Sequence, residues 1–244
     1  MIVSTDLGEQ LWQLTIDRHD RRNALDIDHL DQLHDQFAAA LHAGARCVVV
    51  TGEGTTFSAG ADLDSVYDDT FTTALYRTLG AITDAPVPVI AAMNGPAVGA
   101  GAQLAIACDL RVGGDRAFFA IPTARNGLAV DSWTIRRLAL LTNGAVARNV
   151  LIGAATLTVD LARRLGLIGR AGGLDEAIAW GRDIVSMAPL SLAHSKRALE
   201  VLLEPDVARA AELENLFDQC WASDDVAEGR LARTEGRSPI FEGK

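Results

Sequence analysis

The apolar positions fall into short blocks with two different periods. LWQLTI (11–16) is a strand pattern, and CVVVTG (47–52) is an unbroken apolar run of strand length, as expected of a strand buried on both faces. Between them, Ile27, Leu30, Leu33, Phe37 and Leu41 recur at helical spacing over 26–41. Helical patterns fill 62–84, and PVPVIAAM (86–93) predicts a further buried strand. NGPAVGAG (94–101) reads as a glycine-rich loop leading into a short apolar helix, AQLAIACD. LRVGG and FFAIP read as short strands. From Asp131 onward the patterns are mostly helical, with one strand at LIGRAG (167–172) and a break at Pro205. Strands alternating with helices predict an α/β fold with a largely parallel sheet. The pattern divides the chain into a core over 1–188 and a helical region over 189–244. Neither a low-complexity segment nor a sequence repeat is present.

Composition narrows the function classes. Of 244 residues, 49% are hydrophobic and 22% charged, enough for a large core and incompatible with bulk disorder. No uncharged apolar run reaches the roughly 18 residues of a membrane span. The opening MIVSTDLGEQLW lacks the basic and apolar regions of a secretory signal, so a cytoplasmic location is expected. Cys47, Cys108 and Cys220 are odd in number, far apart and without metal spacing, and are read as reduced thiols. The five histidines form no metal-ligand spacing either, so no metal is expected, and no cofactor is assigned. A net charge of −10 argues against nucleic acid as a partner. It leaves room for a small anionic ligand met by Arg18, Arg21 and Arg22, which otherwise form a solvated cluster.

Two loops carry the candidate chemistry, and each follows a predicted buried strand. In FSAGADL (57–63), Ala59, Gly60 and Ala61 are too small for side-chain chemistry. They offer close approach of a ligand to backbone N–H groups, or simply an ordinary turn with Asp62 as a helix cap. In VGAGAQL (98–104), small residues open a helix, whose free amides and partial positive charge favour an anion. The loop matches neither a dinucleotide fingerprint nor a phosphate loop with Lys-Ser/Thr. Two such donors converging on one point would make an oxyanion hole.

Taken in order, RNAL (22–25), FSAGADL (57–63), NGPAVGAGAQLAIACDLRV (94–112), FFAIPTARNGLAVDSWTIRRL (118–138) and the final SPIFEGK resemble the enoyl-CoA hydratase/isomerase family, the crotonase superfamily. The resemblance implies a spiral of ββα units, a helical C-terminal region and homotrimers that can pair into homohexamers. It implies an acyl-CoA thioester as partner, with coenzyme A as part of the ligand. The oxyanion-hole amides would be those of Ala61 and Ala100. Contacts to the ligand would come from Arg22, Ala24, Ala59, Ala61, Asp62, Leu63, Asp64 and Ala100, with Phe241 and Lys244 reaching in from a neighbouring subunit.

The sequence departs from the family where hydratases carry two glutamates. Gln103 and Thr123 stand at those positions, and neither can exchange a proton near neutral pH. Asp131, in GLAVDSW, stands where some isomerases of the family carry a proton-shuttling aspartate, and it also fits a helix N-cap. Trp133 replaces a small residue and either shapes the acyl cavity or packs in the core. The expectation is a binder of fatty acyl-CoA in lipid metabolism that lacks ordinary hydratase activity and presents its ligand to a protein partner. An enoyl-CoA isomerase using Asp131 is the alternative, and a hydratase with an atypical base ranks third.

Overall fold

The computed structural model describes residues 1–62, 69–123, 130–203, 219, 223–237 and 239–244. The main sheet has six strands in the order β1 (Ile2–Asp6), β2 (Leu11–Ile16), β3 (Cys47–Gly52), β4 (Val89–Met93), β6 (Leu110–Gly113) and β9 (Arg170–Ala171). Only β1 and β2 pair antiparallel; the other neighbours run parallel. A second sheet holds β5 (Ala97–Val98), β7 (Phe118–Ala120) and β8 (Leu157–Thr158).

The two sheets share one repeating connection. A strand of the main sheet passes to a short extended segment beside the second sheet and then into a helix. β3 leads to Ser58, which bridges in parallel to Ala97 of β5. β4 leads to β5 and then α3 (Ala100–Ala107); β6 leads to β7, whose Phe119 pairs with Ala97. β2 leads to Leu25, which bridges to Ala61, and then to α1 (Ile27–His42). This is the spiral of ββα units that the resemblance implied, built without any repeat in the sequence.

β3 explains why a continuous apolar run is needed. Val48 and Val50 face the core that holds Leu33 and Phe37 of α1 and Leu75 and Leu79 of α2 (Asp69–Asp84). Cys47 and Val49 face the opposite way, against Ala177 and Ile184 of α7 (Leu174–Val185). Both faces are therefore dry, as in other parallel sheets. Burial pushes the Cys47 and Cys108 thiols up to about 12, so neither ionises near neutral pH.

The remaining α-helices among the described residues are α4 (Ser132–Leu141), α5 (Gly144–Leu151), α6 (Val159–Arg164), α8 (Pro189–Leu203) and α9 (Asp224–Glu235). α8 is tied to the core by Lys196, whose ammonium donates to the carbonyls of Ile82 and Val87 at 2.8 and 2.9 Å and meets Asp109 at 2.8 Å. No helix among the described residues is long and apolar enough to cross a membrane.

Several boundaries differ from the sequence expectation. The glycine-rich loop contains β5, and α3 begins at Ala100, two residues before the predicted AQLAIACD. LIGRAG contributes only Arg170–Ala171 as strand. β1 and β8 were not predicted; β1 buries only Ile2, so its pattern carries too little apolar signal. Pro205 and Cys220 lie outside the described residues.

Candidate functional site

The two small-residue loops meet at the carboxyl ends of β3 and β4. Val98 N–H donates to Ser58 O at 3.0 Å, and Ser58 N–H donates to Pro96 O at 3.1 Å. Two glycines permit this approach. Gly60 has φ +98°, and a Cβ there would lie 2.5 Å from Val98 O and 3.4 Å from Ala100 N. A Cβ on Gly101 would lie 2.4 Å from Ser58 O. The backbone of one loop therefore stands directly against the first turn of α3.

Amide directions follow from the pairing. Leu25 donates to Gly60 O at 2.7 Å and accepts from Asp62 N at 2.7 Å. In a parallel bridge, the residue between those two partners turns its own N–H the other way. The Ala61 N–H thus points away from Leu25. Ala100 opens α3, and the first bond within the helix is Gln103 N–H to Gly99 O at 3.0 Å. The Ala100 N–H therefore belongs to the helix's unpaired N-terminal set. Gly99 takes up the positive φ, 52°, so Ala100 tolerates its Cβ.

RNAL forms the adjoining wall. Arg22 and Asn23 are consecutive left-handed residues, with φ 52° and 57°. The buried Asn23 side chain stabilises this turn by donating to Glu53 O and Thr56 O, at 2.9 and 2.7 Å, and accepting from Arg18 N. Ala59 N–H donates to Arg22 O at 2.9 Å, which brings Arg22, Ala24, Ala59, Ala61 and Asp62 together. Arg18 is occupied by Asp62 at 2.8 Å and Asp26 at 3.1 Å, while Arg22 is exposed. Leu63 and Asp64 lie outside the described residues.

Gln103 lies three residues after Ala100, on the same face of α3, and its side chain is buried. It meets Asp131, which is the N-cap of α4. One carboxylate oxygen, Oδ2, accepts from Tyr76 Oη at 2.8 Å, Gln103 Nε2 at 3.2 Å and Thr134 Oγ1 at 2.5 Å. The other, Oδ1, accepts from Thr134 N at 3.0 Å. Burial alone would raise the Asp131 pKa, but these donors outweigh it and hold the carboxyl below its ordinary range. Burial and the bond to Asp131 push the Tyr76 phenol up to about 12.

These bonds also fix the Gln103 amide. Thr134 gives its only hydroxyl proton to Asp131, so toward Gln103 it can only accept. Toward Gln103, Asp131 and Thr134 are both acceptors, and Nε2 must face them. Sequence reasoning missed Tyr76, because nothing in a helical pattern marks which residue will face a carboxylate 55 positions away, and Thr134, although the N-cap reading of Asp131 pointed to the residue three positions on.

Thr123 is partly buried three residues beyond β7, and no hydrogen bond joins it to Gln103 or Asp131 among the described residues. Trp133 and Asp131 border a cavity of about 340 Å³ whose opposite wall is Tyr76, Leu79 and Gly80 of α2. Phe241 and Lys244 lie elsewhere. Arg46, just before β3, donates to Phe241 O at 2.9 Å, and Asp224 N–H donates to Lys244 O. That is the opposite end of β3 from Ala61, so within one chain these two residues do not join the site.

Comparison with known proteins identifies the family and the fold. The enoyl-CoA hydratase/isomerase family profile matches residues 6–244. The Mycobacterium tuberculosis protein named "Probable enoyl-CoA hydratase echA6" is 42% identical over 243 residues, covering 99% of this chain and 100% of its own. The 2,3-dehydroadipyl-CoA hydratase of Escherichia coli is 32% identical over 257 residues, covering 100% of this chain and 99% of its own. A crystal structure of an enoyl-CoA hydratase from Polaromonas superposes with a TM-score of 0.89 at 28% identity, covering 99% of both chains. Spanning all but the first five residues, the match leaves no segment of the spiral unaccounted for, and this chain belongs to the enoyl-CoA hydratase/isomerase family.

Proposed function

We propose that this chain binds fatty acyl-CoA thioesters, with the Ala61 and Ala100 amides on the thioester oxygen, and that it does not hydrate them as ordinary hydratases do. The names of its relatives support an acyl-CoA ligand in lipid metabolism. The observation that carries the non-hydrating part is the closed network around Asp131. Hydration needs a base for water and an acid for the α-carbon, and losing either typically costs about 10²–10⁴ in rate. Gln103 has its amide hydrogens committed to Asp131 and Thr134, and Thr123 has no acidic proton to give. The bound thioester would then be presented to a protein partner. Assembly as a homotrimer or homohexamer in the cytoplasm, with no cofactor beyond the ligand's coenzyme A, belongs to the same reading.

The isomerase alternative assigns Asp131 the proton shuttle. Four donors stabilise its charge, which makes it a weak base for a carbon acid. One assay separates the readings. The protein is incubated with crotonyl-CoA and with a cis-3-enoyl-CoA while enoyl absorbance is followed, and melting is measured with butyryl-CoA and palmitoyl-CoA. A raised melting temperature without turnover is expected. Isomerisation that disappears in Asp131→Asn would replace the carrier with an enzyme. Hydration of crotonyl-CoA at an enzyme-like rate would end the proposal.

A further inference from the structure

α3 is eight residues long and buried along its whole length. A helix leaves its last four carbonyls without partners, and burial denies them water. In α3 these belong to Ala105, Ile106, Ala107 and Cys108, and two guanidinium groups satisfy all four. Arg111 Nη1 donates to Ala105 O at 3.4 Å and to Cys108 O at 2.7 Å. Arg137 donates through Nε to Ile106 O and through Nη2 to Ala107 O at 3.3 Å. The remaining nitrogen of Arg137, Nη1, grips both oxygens of Glu200 on α8 at 2.8 and 2.6 Å. Arg137 and Glu200 are both buried.

Arg137 also belongs to a larger alignment. Asp131 and Thr134, at the start of α4, hold Gln103 in the first half of α3, and Arg137, one turn after Thr134, holds the last turn. The two helices are pinned at both ends. A helix of eight residues is a rod about 12 Å long, and what fixes one end fixes the other. The end opposite Arg137 carries the Ala100 amide.

We propose that Arg137, held by Glu200, is a positioning residue for the thioester site. It sets α3 along its axis, and so sets where the Ala100 N–H meets the thioester oxygen. Hydrogen bonding to a developing oxyanion is steep in distance, so a displacement well under a bond length changes the polarisation of the carbonyl. The inference rests on the acyl-CoA reading above and adds helix α8 to the determinants of that site.

The test uses trans-cinnamoyl-CoA, a conjugated thioester whose absorption moves to longer wavelength when its carbonyl is polarised, with free coenzyme A as the control ligand. R137M/E200L removes both charges together, so the net charge beside α3 is unchanged. Apolar replacement of a buried ion pair is often neutral, and here it also leaves Ile106 O and Ala107 O without donors, so a lower melting temperature is expected. The full-length double variant is expected to melt cooperatively and to bind free coenzyme A within about twofold of wild type. It should lose most of the spectral shift and bind cinnamoyl-CoA roughly tenfold more weakly. R137K, which reaches fewer of these acceptors, should be intermediate. A folded double variant with the wild-type shift overturns the proposal. So does an equal weakening of both ligands with the shift retained, which marks a merely structural pair. If the double variant does not fold, R137K decides, and a wild-type shift there overturns the proposal. A wild-type protein that binds free coenzyme A and no thioester overturns the acyl-CoA reading itself, and this inference with it.

Discussion

A carboxylate that accepts four hydrogen bonds is held ionised, and this governs every role open to Asp131. Its pKa lies below the ordinary 3.8, so folding gains stability from the charged form. That contribution is complete above the ordinary value and is lost as pH falls through the lowered one. Asp131→Ala should therefore cost about 1–2 kcal/mol at neutral pH, the usual penalty for an N-cap. The gap to wild type should narrow in acid, below the ordinary carboxylate range. Urea unfolding of both proteins at pH 7 and near pH 3 checks this; a gap that persists unchanged in acid would mean the charge is not what Asp131 contributes. The same network alters any attempt to restore hydration. Gln103→Glu places a second carboxylate where an amide now donates to Asp131, so like charges meet in a buried site. Q103E/T123E alone should stay near background on crotonyl-CoA, while Q103E/T123E/D131N should exceed it measurably. At this scale the sequence exposed Gln103 and Thr123 as departures from a pattern and Asp131 as a carboxylate that fits one. The network that holds Asp131 was not legible, because beside Thr134, three residues on, it draws on Tyr76, 55 residues earlier, and Gln103, 28 residues earlier.

Elements were legible in proportion to how much apolar surface they bury. CVVVTG matched β3 residue for residue, since a strand covered on both faces must be apolar throughout. LWQLTI matched β2 likewise, and α1 follows the predicted helical span, with Asp26 as its N-cap, accepting from His29 N. The two-residue strands β5 and β8 were invisible because two residues carry no period. The start of α3 was misplaced because Gly99, Ala100 and Gly101 look like loop. Gly101 is small because α3 touches Ser58, where a Cβ would lie 2.4 Å from Ser58 O, whereas Gly99 supplies the positive φ of 52° that turns the chain into the helix. Gly60 shows the consequence most sharply, needing both a positive φ and space beside Val98 O. Gly60→Ala should cost about 1–3 kcal/mol from backbone strain and overpacking together. It should also push the loop from α3 and weaken butyryl-CoA more than free coenzyme A. A calorimetric titration with both ligands reads this directly; equal affinities to wild type would separate the two loops from thioester binding.

At the scale of the whole molecule, the arrangement of the C-terminal tail makes the strongest demand. Phe241 and Lys244 are anchored beside Arg46 and Asp224, and Asp225 accepts from the amides of Glu242 and Gly243 at 2.7 and 3.0 Å. All of this lies at the amino end of β3, whereas Ala61 and Ala100 stand past the carboxyl ends of the strands. The family resemblance places these tail residues at the ligand, and a single chain cannot satisfy both placements. A neighbouring subunit can, and exposed Leu140, Leu199 and Leu202 on α4 and α8 are apolar surface that assembly would cover. Light scattering should therefore give a trimer or hexamer at micromolar concentration, and a monomer would refute assembly outright. Mixing subunits tests whether the tail acts across the interface. Chains ending before Pro239 should bind butyryl-CoA weakly because their tails are gone, and full-length Gly60→Ala chains should bind it weakly because their own sites are damaged. Co-expressed, the two supply intact sites and intact tails on different subunits. Mixed assemblies should then bind more butyryl-CoA than the average of the two parents. Binding equal to that average, from verified mixed assemblies, would remove Phe241 and Lys244 from the ligand site.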